Sequence, residues 1–177
     1  MFVYNGDNET VKKAVKYANS ETLINYILLE IENKTSFDMS TAEPAYISDE
    51  LKKLLKFVTI EIELYKPVYR WSKAIGYFTP EKPKTIHFNV YKLTYDISLL
   101  VGNFYHEAIH ILDNFDNKHS YGHGSNNPSG KGNTAPYFIG SIARNYILGF
   151  EDFNNKDNGA IEYYIPWYKR LINYFRG

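Results

Sequence analysis

Residues 94–112 form an amphipathic helical pattern, and this pattern constrains the fold more than any other feature of the sequence. Apolar side chains recur at i, i+3, i+4 and i+7 and make one stripe: Ile97, Leu100, Val101, Phe104, Ala108 and Leu112. Thr94 or Asp96 can cap the start of this helix. This segment is therefore the clearest helix of the sequence.

Periodicity and turn signals predict the remaining elements. Further helices are expected at residues 9–32 with a break or kink at Asn19–Ser20, from Ser48 as N-cap to Leu55, at 136–148 and at 162–175. Strands are expected at residues 57–64 and 85–90, with a third, edge-like strand within 71–78. The 177 residues are enough for one hydrophobic core, so a single domain spanning 1–177 is expected.

Composition excludes several classes of function. Lys plus Arg equals Asp plus Glu, at 20 each, so no basic field favours nucleic-acid binding. The chain has no cysteine, which removes disulfides, thiol nucleophiles and cysteine-ligated zinc. No apolar run has the length of a signal peptide or a membrane span, so a soluble protein, cytoplasmic by default, is expected.

The central helix carries the sequence His106-Glu107-Ala108-Ile109-His110. Histidines at i and i+4 lie one turn apart on the same helical face, so their imidazoles can converge on one cation. Zinc suits two imidazoles, and a catalytic zinc site uses three protein ligands and one water. Glu107 is rotated by about 100° from His106, which places its carboxylate beside that water as a general base.

This motif resembles the active-site helix of the zincin metallopeptidases. The resemblance rests on residues 106–110 and, more loosely, on the strand-then-helix order over 85–112; segments 123–126 and 135–140 look similar to small zincin-like proteins of phages and bacteria. It implies an α+β, zincin-like fold in which a small mixed β-sheet packs against the active-site helix and further helices. It also implies that the strand at 85–90 is an edge strand that lines the substrate cleft.

The subfamily patterns leave the third zinc ligand open. Asp113 and Asp116 stand where the metzincin pattern has Gly and His, and a gluzincin pattern would use a later glutamate, Glu151 or Glu162. Asp113 returns to the face of His106 seven residues later, so it either orients a ligand imidazole or caps the end of the helix.

The loop over residues 114–133 contains two further histidines, His119 and His123. Glycines on both sides of His123 let the backbone turn sharply and bring the ring close to a metal. We therefore predict His106, His110 and His123 as the zinc ligands, with His119, Asp116 or a later Glu as alternatives to His123.

Catalysis also needs a hydrogen-bond donor for the developing oxyanion. Tyr137 is the predicted catalytic donor, and Tyr121 and Arg144 are the alternatives. His87 alternates with Phe88 on a predicted strand, so it is expected to pack or face water rather than bind metal.

The sequence therefore favours a zinc-dependent metallopeptidase that hydrolyses an amide bond of a peptide or protein substrate. The absence of cysteine and of a G-x-S-x-G motif argues against a covalent nucleophile. The alternative is a non-catalytic zinc-binding structural or interaction module on the same scaffold, and the intact Glu107 favours the enzyme.

Overall fold

The computed structural model describes residues 1–69, 75–93, 96–122 and 133–149, and over these residues the chain is a mixed α+β structure. The helices are α1 (Glu9–Ala18), α2 (Glu21–Glu32), α3 (Pro44–Phe57), α4 (Ile97–Phe115) and α5 (Ala135–Ile147). The strands are β1 (Phe2–Val3), β2 (Ile60–Tyr65), β3 (Gly76–Phe78) and β4 (Thr85–Asn89). Within these ranges no helix is long and apolar enough to cross a bilayer.

The four strands form one mixed sheet in the order β1-β2-β4-β3. β1, β2 and β4 are parallel, with Ile62 opposite Ile86, whereas β3 pairs antiparallel with β4 and lies at the edge. The expectation that the strand at 85–90 is an edge strand is therefore wrong. β4 has a neighbour on each side, and all five of its residues are buried. The edge-like strand expected within 71–78 is confirmed at Gly76–Phe78.

Helix α4 occupies the centre of the molecule, between the sheet and the other helices. The Phe104 ring lies 5.7 Å from Phe2 of β1 and 6.0 Å from Phe88 of β4, measured between ring centroids. On the next position of the helix, the Tyr105 hydroxyl donates a hydrogen bond of 2.7 Å to the carbonyl of Ala18. The helix predicted over 94–112 is confirmed, with observed bounds Ile97–Phe115, and its residues are buried on nearly every side.

The break predicted within residues 9–32 is confirmed at Asn19, between α1 and α2. The carboxamide of Asn19 pairs with the backbone of Phe2: Oδ1 accepts from Phe2 N at 2.9 Å and Nδ2 donates to Phe2 O at 2.7 Å. The residue at the helix break therefore holds the first strand in place through two hydrogen bonds to its backbone.

Two element boundaries differ from the sequence prediction. Helix α3 begins at Pro44 rather than after Ser48, because proline suits the first turn of a helix. Ser48 lies inside this helix, where its hydroxyl donates to Glu32 Oε1 at 3.0 Å. Because α3 continues to Phe57, the following strand begins at Ile60 rather than at residue 57.

Asp96 is the N-cap of α4, and its carboxylate accepts a hydrogen bond from Leu99 N at 3.2 Å. The helix predicted at 136–148 is confirmed as α5. Thr94 and the helix predicted at 162–175 lie outside the described residues.

Gly102 sets the distance between α4 and α5. A β-carbon at this position would lie 2.7 Å from the carbonyl oxygen of Gly140 and 3.0 Å from Cβ of Arg144. Real side chains do not approach backbone that closely, so any larger residue must push the two helices apart.

We predict that Gly102→Ala destabilises the fold, because overpacking costs about 1–3 kcal/mol and exceeds the gain of at most about 1 kcal/mol that alanine brings to a helix. Urea denaturation measures the change in free energy of unfolding. Lys16→Ala on the exposed face of α1 is the control and should change stability by less than about 0.5 kcal/mol. A Gly102→Ala protein as stable as the wild type would contradict the close packing of α4 on α5.

Candidate metal centre

His106 and His110 bring their imidazoles together beside α4. Their Nε2 atoms are within hydrogen-bonding distance at 3.3 Å, and their ring centroids are 5.0 Å apart. Two nitrogens that each lie 2.0–2.1 Å from a tetrahedral zinc are also separated by about 3.3 Å, so the separation of the pair matches that of two zinc ligands. His106 is 6% exposed and His110 is only half-buried, so the pair is reached by solvent from the side of His110.

Glu107 lies next to this pair and is itself buried. Its side chain is in the described core of the molecule at 6% exposure. Burial raises the pKa of the Glu107 carboxyl to about 8, because the charged form loses hydration. A divalent cation a few ångströms away would favour the carboxylate and lower that pKa again.

Tyr137 joins the same centre from the first turn of α5. Its ring packs edge-on against the His106 imidazole, with 4.7 Å between centroids and 74° between planes. Burial raises the pKa of the Tyr137 hydroxyl, and the nearby Glu107 raises it further. The residue therefore keeps its proton and remains a hydrogen-bond donor beside the histidine pair.

The other two candidate donors lie elsewhere. The Tyr121 hydroxyl donates to Asp116 Oδ2 at 3.0 Å, in the segment that follows α4. Arg144 lies two turns beyond Tyr137 on α5, against Gly102. Of the three residues proposed from the sequence, Tyr137 is the one with a described contact to the histidine pair.

Asp116 ends α4 and organises the segment that follows it. Its carboxylate accepts hydrogen bonds from Lys118 N at 2.8 Å, His119 N at 3.3 Å, His119 Nδ1 at 3.0 Å and the Tyr121 hydroxyl at 3.0 Å. Burial alone would raise the pKa of this carboxyl, but these bonds and one from Tyr46 hold it well below its ordinary value. Asp116 and His119, both alternatives for the third zinc ligand, are therefore bonded to each other.

Asp113 also binds this segment rather than a histidine. Its Oδ1 accepts from Tyr121 N at 2.9 Å, which supports the cap interpretation over the ligand-orienting one. Burial raises the pKa of the Asp113 carboxyl, against the effect of that hydrogen bond.

The third ligand is not found in the part of the chain that the structure describes. Within those ranges, no group of three His, Asp or Glu side chains could hold a metal ion. His123, Glu151 and Glu162 lie outside the described residues.

His87 packs, as expected. It is 8% exposed on β4, its ring stacks on Tyr77 of β3 at 4.9 Å, and its Nδ1 lies 3.4 Å from Glu63 Oε2. Burial lowers the pKa of His87, because the charged imidazolium loses hydration.

Asn103 is a buried polar residue near this centre that the sequence interpretation missed. It is 5% exposed and lies one turn before His106 on α4. A signal was present, because Asn103 precedes His106, Glu107 and His110 by three, four and seven residues, the spacing of one helical face.

Comparison with known proteins adds no assignment: no protein-family model, curated protein or solved structure matches the chain.

We predict that Asp116→Asn lowers the free energy of unfolding by about 1–3 kcal/mol, since hydrogen bonds to a charged, partly buried acceptor are lost or weakened. The folded pKa of Asp116 is depressed, so its stabilisation is fully present above the unfolded pKa of about 3.9 and is lost as the pH falls below it. The difference from wild type should therefore shrink below about pH 4 in urea titrations.

Asp7→Asn, which changes an exposed carboxylate, is the control and should match wild type at each pH. If the difference in free energy of unfolding between wild type and Asp116→Asn stays constant down to about pH 2.5, the pKa of Asp116 is not depressed.

Proposed function

We propose that this chain is a zinc-dependent metallopeptidase of zincin-like fold that hydrolyses a peptide bond of a peptide or protein substrate. The observation that carries the proposal is the separation of 3.3 Å between His106 Nε2 and His110 Nε2, with Glu107 between them in sequence. A small mixed sheet with an antiparallel edge strand beside α4 is consistent with the fold that the motif resembles.

Zinc would be held by Nε2 of His106 and His110, with His123 as the proposed third ligand. Bound there, zinc would supply a Lewis acid and lower the pKa of a bound water. The half-buried His110 leaves the proposed zinc site open to a substrate. The buried His106 packs against the Tyr137 ring.

Glu107 acts in this proposal as the general base and then as the general acid. Its carboxylate takes a proton from the attacking water and delivers it to the amine that leaves when the peptide bond breaks. Tyr137 keeps its proton and donates a hydrogen bond to the oxygen that becomes negative during the attack. An extended substrate would lie along β3, which is one of the two edge strands of the described sheet and approaches α4 at Asn103.

The alternative is a non-catalytic zinc-binding module on the same scaffold. With its pKa raised to about 8, a metal-free Glu107 is largely protonated at neutral pH and cannot accept a proton. The charge of a bound cation would lower the pKa of Glu107 again. The two functions therefore differ in whether Glu107 accepts a proton from a bound water once zinc is present.

We predict that the protein binds about one zinc per chain, because two preoriented imidazoles and a third ligand make a high-affinity site. His123→Ala should weaken zinc binding by about tenfold or more, as the loss of a direct ligand does. Competition with a chelator, followed by metal analysis, measures both quantities.

His119→Ala is the matched control for this experiment, since Asp116 already binds that imidazole. It should leave the zinc affinity nearly unchanged. Equal losses in the two variants, or a loss in His119→Ala alone, would refute His123 as the third ligand. A wild-type protein that takes up no zinc would refute the metal assignment itself.

We predict that Glu107→Gln retains zinc and the fold but loses turnover by about 10²–10⁴, the usual effect of removing a general base. Cleavage of a fluorogenic peptide library by the zinc-loaded protein is the measurement. Glu81→Gln, an exposed carboxylate change, should retain wild-type turnover. Zinc-loaded wild type that cleaves nothing in such a library would favour the non-catalytic module.

A further inference from the structure

Asn103 is a buried side chain whose hydrogen bonding is incomplete. Its carboxamide is 5% exposed, and Oδ1 has no hydrogen-bond partner in the described part of the chain. Leaving a buried polar atom unpaired is unfavourable, so such an atom needs an explanation, and a bound ligand is one. The position of Asn103 indicates what that could be.

On α4, Asn103 lies at the centre of the face that carries the histidine motif. At about 100° per residue, His110 points within about 20° of Asn103, with His106 about 60° to one side and Glu107 about 40° to the other. The residue thus continues the line of the metal-centre side chains by one turn toward the start of the helix.

Asn103 also contacts the edge strand. A β-carbon on Gly76, the first residue of β3, would overlap Asn103 Oδ1, so the carboxamide occupies the space that a side chain would fill. Among the described residues β3 pairs only with β4, through Gly76 opposite Phe88, so its other edge has no strand partner there. The Asn103 carboxamide lies against the face of β3 at Gly76, next to that edge.

The carboxamide has the chemistry to bind such a chain. It offers one donor and one acceptor group, the same pair that a peptide unit presents. Asn19 makes this pairing elsewhere in the molecule, where its Oδ1 and Nδ2 bind the N–H and the carbonyl of Phe2 in a strand. Asn103 lies against β3 at Gly76, and its Oδ1 accepts no hydrogen bond from the described residues.

We propose that Asn103 is a substrate-binding residue of the metal centre, whose carboxamide hydrogen-bonds a peptide unit of an extended polypeptide that lies along β3. This role rests on the proposed peptidase function. It assigns to Asn103 the recognition of the substrate backbone, whereas His106, His110 and Glu107 act on the peptide bond that is cleaved.

Two hydroxamates test this role in the full zinc-loaded chain, by calorimetry. Acetohydroxamate contacts only the zinc, whereas a dipeptidyl hydroxamate adds a peptide backbone that extends along the strand. Asn103→Leu keeps the branched shape of the side chain and removes its hydrogen bonds. We expect it to weaken the dipeptidyl hydroxamate by about tenfold or more, the equivalent of one lost hydrogen bond to a buried group, and acetohydroxamate by less than about twofold.

Gly76→Ala provides a second route to the same result, since the new methyl group must displace the Asn103 carboxamide. It should also weaken the dipeptidyl ligand selectively, and it serves in place of Asn103→Leu if that variant does not fold. Thr134→Val is the matched control: Thr134 is 1% exposed and its hydroxyl also has no described partner, but it precedes α5 rather than lying on the metal-centre face. Its affinities for both hydroxamates should equal those of wild type.

The outcomes separate this role from the proposed function. Wild type that binds both hydroxamates, with variants that bind the dipeptidyl one equally tightly, overturns the role of Asn103 alone. Equal weakening of both ligands in the variants also overturns it, because that result indicates a distorted metal centre. Wild type that binds neither zinc nor acetohydroxamate overturns the peptidase proposal, and the role of Asn103 falls with it.

Discussion

The burial of α4 on almost every side is the constraint on which the rest of the structure depends. A helix that is apolar on one face can have a wet opposite face, but here the opposite face carries buried His106 and Glu107 as well. Burying an imidazole and a carboxyl is costly unless they gain partners, because both lose hydration. The histidine pair, the Tyr137 ring and the proposed zinc would together offset that cost at one place.

Two glycines determine how closely other elements approach this helix. Gly102 lets α5 pack directly on α4, which brings Tyr137 into contact with His106 one turn further along. Gly76 lets the edge strand reach the same helix at Asn103. Both contacts lie on α4 about one turn before His106, so a displacement of α5 or of β3 would change the surroundings of the histidine pair.

The residues at the end of α4 fix the direction in which the chain continues beyond the histidine motif. Asp113 binds Tyr121 N and Asp116 binds the backbone at Lys118, so both carboxylates fix the segment that follows the helix. In the metzincin pattern the equivalent positions turn the chain back toward the metal. Here they hold it in a separate hydrogen-bonded segment, and the proposed third ligand, His123, comes from beyond this segment.

Local interactions explain what the sequence by itself determined. The helix over 94–112, the break at Asn19 and the placement of His106 and His110 on one face depend on contacts within four residues, so periodicity predicts them. Pairing between distant segments decided the rest. The strand at 85–90, expected at an edge, lies inside the sheet, and Gly76–Phe78 lies at an edge. Ser48, expected as a helix cap, lies inside α3 and binds Glu32. Strand neighbours and helix partners are set by the whole fold, so local spacing does not predict them. The contacts of Asn103 with Gly76 and of His119 with Asp116 belong to the same class, since no local spacing specifies which buried polar group meets which strand or carboxylate.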